Sequence, residues 1–287
     1  VTPAAGVVAA VMAVQAPGAA AFPGSTRAAG LAGAGAALVG DAGAIFANPA
    51  ALATVSRLAF DASYQRATAS DTVFYAAAVA TRLPRLDWGA GVAALAPSAA
   101  ARLATADLLA ASALVFRTGL LALGVAAKYA RQTIGGVQDH AWAGDAGVAI
   151  AVFDILALGV SVQNIGGEFG GGVHLPRRTR AGFTMNYVDP QGTVRLLTTL
   201  EGQWPDRGSA FLVLGVEGGV VAHGVGLLAR VGYAGHSVAT SASPFAFGGS
   251  VALGVVDVDY AYRGGAGGAG GAGGAGATHR VGVRWRP

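Results

Sequence analysis

The residues of this chain that could do chemistry are few and badly spaced for it. The five histidines, His140, His174, His223, His236 and His279, stand apart, and none has the histidine and glutamate neighbours of an HExxH-type zinc site. Cysteine is absent, which removes thiolate metal sites, disulfides and cysteine nucleophiles. Gly208-Ser209 and Gly249-Ser250 occur, but neither sits in the G-x-S-x-G elbow that exposes a nucleophilic serine. The remaining candidate is a glycine loop, Gly30-x-x-Gly33-x-Gly35. Such spacing can aim backbone amides at a phosphate, yet no apolar strand precedes it and no βαβ unit follows. The reading is a non-enzyme with no metal and no cofactor.

Charged side chains carry more information than the histidines. Asp257 and Asp259 alternate with Val256, Val258 and Tyr260, and Arg280, Arg284 and Arg286 alternate with Val281, Val283 and Trp285. Asp61 falls opposite Phe60, Ala62 and Tyr64, while Arg178 and Arg180 fall opposite Ala181, Phe183, Met185 and Tyr187. In a strand, residues two apart share a face, so each segment has one face free of charge. The charges on the other faces are suited to pair across strands. They could also form a filter or a latch, and Arg178 and Arg180 could receive an acidic head group.

Composition indicates which solvent the uncharged face meets. Only 12% of the 287 residues are charged, 46 are glycine, and the mean hydropathy is +0.53. A soluble domain would lack the charge to cover its surface, while a helical membrane protein needs spans of roughly 20 apolar residues. The longest uncharged stretch after the N-terminus, Val231 to Val256, contains His236, Pro244 and several serines and glycines, and does not read as a helix. High hydropathy without spanning helices is what a transmembrane barrel gives, since only alternate residues face lipid. The net charge of +4 is spread singly along the chain, which argues against nucleic acid as a partner.

From residue 57 onward, period-two segments predict about fourteen strands: 58–66, 71–82, 86–96, 105–117, 120–132, 143–153, 156–164, 178–188, 193–203, 209–217, 223–233, 246–254, 255–263 and 278–286. Short connections (83–85, 118–119, 154–155, 189–192) alternate with long ones (97–104, 133–142, 165–177, 234–245, 264–277). Short periplasmic turns and long external loops follow that rhythm in bacterial barrels. An even strand number puts both ends of the wall on the periplasmic side. Trp88, Tyr129, Tyr187, Trp204, Tyr233, Tyr262 and Trp285 lie near strand ends, where interfacial belts form. The expected fold is all-β, a transmembrane antiparallel β-barrel over 57–287 with a short plug over 22–56. Residues 1–21 have the apolar core of a secretory signal with an alanine-rich end, although without a basic leader. The run Gly264 to Gly276 reads as a flexible external loop.

The stretch STRAAGLAGAGAALVGDAGAIFANPAALA, from Ser25, resembles the N-terminal signature of the PorV/PorQ group within the superfamily of FadL-like long-chain fatty-acid transporters. The matching positions are Gly30, Gly33, Gly35, Asp41, Asn48, Pro49 and Ala50. SVQNIGG at Ser161–Gly167, LPRRTRAGFTMNY at Leu175–Tyr187, and VDVDYAYR with THRVGVRW near the C-terminus agree in order. The resemblance implies a fourteen-stranded, plugged barrel in the outer membrane. It implies an accessory or shuttle role in type IX secretion, with secretion-channel components and cargo C-terminal domains as partners beside outer-membrane lipid. The alternative within the same superfamily is a channel that takes up hydrophobic small molecules such as long-chain fatty acids and releases them sideways at a strand kink.

Overall fold

The computed structural model describes residues 24–68, 73–96, 105–134, 136–152, 155–170, 172–188, 193–235, 242–265 and 276–287. The expected signal over 1–21, His236 and most of the glycine run after Gly265 lie outside them. The strands are β1 (Leu58–Ala67), β2 (Val73–Thr81), β3 (Leu86–Ala96), β4 (Thr105–Thr118), β5 (Leu121–Ile134), β6 (Val137–Val152) and β7 (Leu156–Ile165). A short hairpin of β8 (Glu168–Phe169) and β9 (Val173–His174) follows. Then come β10 (Arg178–Asn186), β11 (Val194–Pro205), β12 (Phe211–Ala222), β13 (Val225–Ala234), β14 (Ala242–Leu253), β15 (Val256–Gly265) and β16 (Thr278–Trp285).

All but β8 and β9 form one closed antiparallel barrel of fourteen strands. β7 pairs with β10, and β1 closes on β16 with Asp61 opposite Arg284. Closure leaves no strand edge unpaired, which a wall in hydrocarbon requires. The period-two phase holds through the wall. Phe60, Tyr64, Val160, Val258, Tyr260, Val281 and Val283 are exposed on the outside, whereas Asp61, Ser63, Arg180, Asp257, Asp259, Arg280 and Arg284 are buried inside. Exposed Trp88, Tyr187 and Trp285 ring the end where β1 starts and β16 ends, and Trp204 and Tyr233 ring the other. No helix among the described residues is long and apolar enough to cross a membrane.

Two connections differ from the sequence expectation. Residues 133–142 are not a long loop: β5 reaches Ile134 and β6 starts at Val137, with Tyr129 packed on Trp142 at 5.1 Å across the pair. Their polarity suggests a loop, but a strand that projects beyond the bilayer into water has no need to be apolar. Likewise β12 continues through Gly218-Gly219 to Ala222, and the turn to β13 is the two-residue His223-Gly224, with φ of 53° and 77°. Two consecutive positive φ values match the turn that suits the twist of a hairpin.

Residues 24–56 lie within the ring of strands. They form a one-turn helix, α1 (Thr26–Gly30), and two 3-10 turns, Ala42–Phe46 and Pro49–Thr54. α1 sits against β13 to β16, while the 3-10 turns sit against β1 to β7. The wall makes room by presenting glycine at the contacts. A Cβ built on Gly147 would fall 2.0 Å from Asn48 Oδ1, one on Gly159 would fall 1.9 Å from the Ala36 carbonyl oxygen, and one on Gly232 would fall 2.3 Å from Ala32 N.

The wall's orientation can be tested at Val160, outward-facing near the middle of β7 and 49% exposed. Val160→Arg should cost about 2–4 kcal/mol, as a cation on a lipid face near the midplane does. The check is a urea titration of the chain folded in vesicles. An unchanged midpoint would take this residue off the lipid face.

Candidate functional site

The inner segment is built from three side-chain caps. Ser25 caps α1 by accepting from Ala28 N and donates its own hydroxyl proton to Asp41. Asp41 caps the first 3-10 turn through Gly43 N at 2.9 Å. Asn48 caps the second through Ala50 N at 3.0 Å, with Pro49 in the first turn, where its missing N–H costs nothing. Asn48 is fully buried, and its amide also donates to Ala36 O at 2.7 Å and to Val148 O of the wall at 3.3 Å. Ser161 donates to Ala47 O at 2.8 Å and Gln163 donates to Phe46 O. These contacts are what the SVQNIGG stretch contributes.

The glycine loop does hold an anion, and that anion belongs to the barrel. Gly35 N and Ala36 N both donate to Glu201 Oε2 at 2.7 Å. Arg180 bonds the other Glu201 oxygen at 2.7 Å and also donates to Gly33 O. Gly30 packs its Cα against Gly248, where an added Cβ would come within 3.2 Å. Arg180 is thus held at the loop, and Arg178 donates to Gln203 at 3.2 Å.

A second cluster ties α1 to the wall. Arg27 donates to both oxygens of Glu217, at 2.9 and 2.7 Å. Arg230 bonds Glu217, Asp259 at 2.8 Å and Ser250 at 2.9 Å. Arg284 bridges Asp259 and, at 3.1 Å, Asp257, which Arg286 also contacts. The cross-strand pairing between β15 and β16 therefore forms through Arg284 and Arg286. Arg280 instead donates to Gly24 O at 2.7 Å and to Ser63 at 2.8 Å, and stacks 5.2 Å from the centroid of Phe74. Asp61 is buried beside this cluster and makes none of these ion pairs. Its register partner Arg284 turns toward β15.

Sequence reasoning did not single out Glu201, Glu217 or Arg230, and reached Arg27, Ser161 and Gln163 only as members of the STRAAG and SVQNIGG stretches. The signal available was their phase, since each wall residue among them lies on the inward face of its strand. In the remainder of the interior apolar side chains predominate, beside buried Asp87, Asp107, Lys128, Gln132 and Asp145. Alanines of β2 to β6, with Phe74, Leu109 and Val115, surround Ala42–Val55, and Phe169 and Leu175 from the β8–β9 connection join them. Lys128 and Asp145 form an ion pair in that half, at 2.5 Å, where Asn164 adopts φ 59° and donates its N–H to Asp145.

Beneath the inner segment, toward the end of the barrel where β1 starts and β16 ends, lies a cavity of about 690 Å³. Its roof includes Val39, Gly40 and Thr54, and its wall includes Ala122, Ala149, Leu197, Leu228 and Ala252. Arg82, Arg117, Arg195 and Arg286 line its rim. Among the described residues no group of histidine, aspartate and glutamate is arranged to hold a metal ion.

No family model and no curated protein matches the chain. Solved structures do. The Ralstonia pickettii toluene transporter TbuX is 14% identical with a TM-score of 0.63, over 94% of this chain and 99% of that one. The CymD monoaromatic hydrocarbon channel is 10% identical with a TM-score of 0.63, over 92% and 97%. A Pseudomonas aeruginosa FadL homologue is 10% identical with a TM-score of 0.58, over 91% and 98%. The chain has the fold of the FadL-like outer-membrane barrels. At these identities the likeness is one of fold, and the PorV/PorQ group is not among these three structures.

Glu217 separates two buried cations, Arg27 and Arg230. Breaking a buried pair from one side costs about 3–5 kcal/mol, because the opposite charge stays buried. Glu217→Gln should therefore lower the temperature at which the compact, heat-modifiable gel band is lost. An unchanged temperature would mean that the cluster contributes nothing to stability.

Proposed function

We propose that this chain is a non-enzymatic outer-membrane channel for hydrophobic small molecules, in which residues 24–56 form a plug that closes the lumen. The observation that carries the reading is the interior itself. The lumen is occupied by the chain's own segment, and one half of it, around β2 to β6, is lined mainly by alanine and larger apolar side chains, with buried Asp107, Lys128, Gln132 and Asp145 among them. An aqueous pore would keep a polar, open interior. The fold is shared with proteins described as a toluene transporter and a monoaromatic hydrocarbon channel, which supports the same class of passenger.

The secretion-accessory role implied by the PorV/PorQ resemblance needs ordered external surface on which a cargo domain can dock. Two described connections at the end opposite the start of β1 are short, whereas 166–177 is longer and carries the β8–β9 hairpin. β5 and β6 are separated by two residues, and β11 and β12 by the five residues 206–210. The channel reading asks nothing of these loops. Sideways release at a strand kink receives no support from β3, which pairs in unbroken register with β2 and β4. The register shifts lie between β6 and β7 and between β14 and β15.

Two measurements test the proposal. Outer-membrane vesicles carrying the chain should take up radiolabelled toluene severalfold faster at first than vesicles without it, and equal rates would sink the channel reading. In planar bilayers the full chain should conduct ions poorly, and deletion of residues 22–53 should raise the conductance. If the current stays the same, the segment is not a plug.

A further inference from the structure

The outer face of the wall carries charge of one sign and at one end. No aspartate or glutamate of the described wall strands faces outward: all are buried except Asp139, which shares the inward face of Ala141 and Ala143. The basic residues that face outward from these strands form two pairs. On β1 and β16 Arg66 lies opposite His279, and on β5 and β6 Arg131 lies opposite His140. All four side chains are exposed. Both pairs sit at the end opposite the start of β1, which the even strand number makes the external one. At the other end the exposed outward residues Phe60, Trp88, Tyr187 and Trp285 are uncharged.

Each pair stands among aromatic rings. His279 packs on Tyr262 at 5.3 Å, and its Nδ1 lies 2.8 Å from the Tyr260 hydroxyl. With that hydroxyl donating, Nε2 carries the ring hydrogen and is itself a donor. Tyr129 packs on Trp142 at 5.1 Å and on His140 at 6.1 Å. Tyrosine and tryptophan mark the headgroup level of a bilayer, so the two pairs stand where hydrocarbon gives way to charged headgroups. Residues directly opposite in an antiparallel ladder have Cβ atoms about 5 Å apart, which lets an arginine and a histidine share the oxygens of one phosphate. The guanidinium fork suits that anion. Below the Arg66 pair the wall is hollowed into a groove of about 420 Å³. Its floor is Ala62 and Ala77, opposite each other on β1 and β2, and Tyr64, Tyr75, Val92 and Val283 rise around them. Arg66 is four residues along β1 from Ala62, roughly 13 Å in a strand, so a hydrocarbon chain hanging from the headgroup level reaches the floor.

We propose that the two arginine–histidine pairs are binding sites for the phosphorylated glycolipid of the outer leaflet, each pair taking one phosphate, and that the groove at Ala62 and Ala77 seats an acyl chain of the lipid held by Arg66 and His279. Charge complementarity decides the occupant. Cations at the external end alone, with no outward carboxylate at either end, match a leaflet whose headgroups are anionic. A second copy of this chain would bring the same cations and no outward carboxylate to the contact, so like charges would meet. The assignment rests on the outer-membrane location and on which end is external, and is independent of what passes through the lumen.

The probe is hexa-acylated lipid A carrying two phosphates. The full chain, folded in detergent micelles free of glycolipid, is mixed with it, and the lipids retained are counted by native mass spectrometry. Two per chain are expected, and lipid A stripped of its phosphates should be retained severalfold less. Arg66→Gln and Arg131→Gln should each remove one lipid. Arg85→Gln, exposed in the turn between β2 and β3 at the opposite end, should remove none. Ala77→Phe, which fills the groove, should weaken retention of the lipid that remains in Arg131→Gln. Equal retention of the stripped lipid, full retention in both arginine variants, or an equal loss in Arg85→Gln overturns the sites. Retention that Ala77→Phe leaves unchanged overturns the groove as the acyl seat, and equal retention of phosphatidylglycerol overturns the choice of glycolipid. If a variant loses the compact, heat-modifiable band, the comparison of phosphorylated with stripped lipid A on the parent chain decides.

Discussion

A polar group enclosed by this barrel must find its partner inside it, because water is largely displaced and the wall's own backbone is already paired. Residues 24–56 bring many backbone amides and carbonyls that no long helix or sheet satisfies. The wall brings buried carboxylates and guanidiniums that would be costly alone. Each set solves the problem of the other. Glu201 is neutralised by Arg180 and takes two amides from the glycine loop, Gln163 and Ser161 donate to carbonyls of the first 3-10 turn, and Glu217 takes Arg27 from α1. Neither component is complete without the other.

The same requirement explains how the interior is divided. On the side of β10 to β16 the inner segment is held by charge and by hydrogen bonds, and on the side of β2 to β6 it is held mainly by contact between apolar side chains, with one hydrogen bond from Asn48 to Val148 O. Polar contacts set the segment's register, since each needs a stated donor and acceptor. Small residues set its depth, since Gly147, Gly159 and Gly232 admit its backbone where any Cβ would collide. The charges left over after this pairing collect at one end, around the cavity with Arg195 on its rim. The interior is thus asymmetric along the axis as well as around it.

Much of the wall was legible in the sequence, because lipid on one side and a narrow lumen on the other force a strict period of two. The faces assigned to 58–66 and 255–263 match the exposed and buried residues of β1 and β15. The signal weakened where strands leave the bilayer. Most of 133–142 belongs to β5 and β6, and Gly218-Gly219 belongs to β12, so neither polarity nor a glycine pair marks a loop there. The N-terminal stretch stood out as a compact Gly/Ala run in which Asp41 and Asn48 were positions of the family resemblance, and both prove to be caps. Its partners were not legible. Glu201 and Glu217 resemble any other inward polar residue until the strands close.

By itself the sequence determined the fold class, the number of spanning strands and the facing of their residues, since each is a local consequence of backbone geometry in a given solvent. It also singled out Asp257, Asp259 and Arg284 as one inward group, because the adjacent β15 and β16 are near neighbours in the chain. Only the tertiary structure decided which charges meet. Arg27 reaches Glu217 across 190 residues, Arg280 reaches Gly24 across 256, and the glycine loop finds Glu201 across 166. Barrel closure brings these groups together, and closure depends on all fourteen strands at once. No local pattern encodes which inward side chain will face a given turn of the enclosed segment.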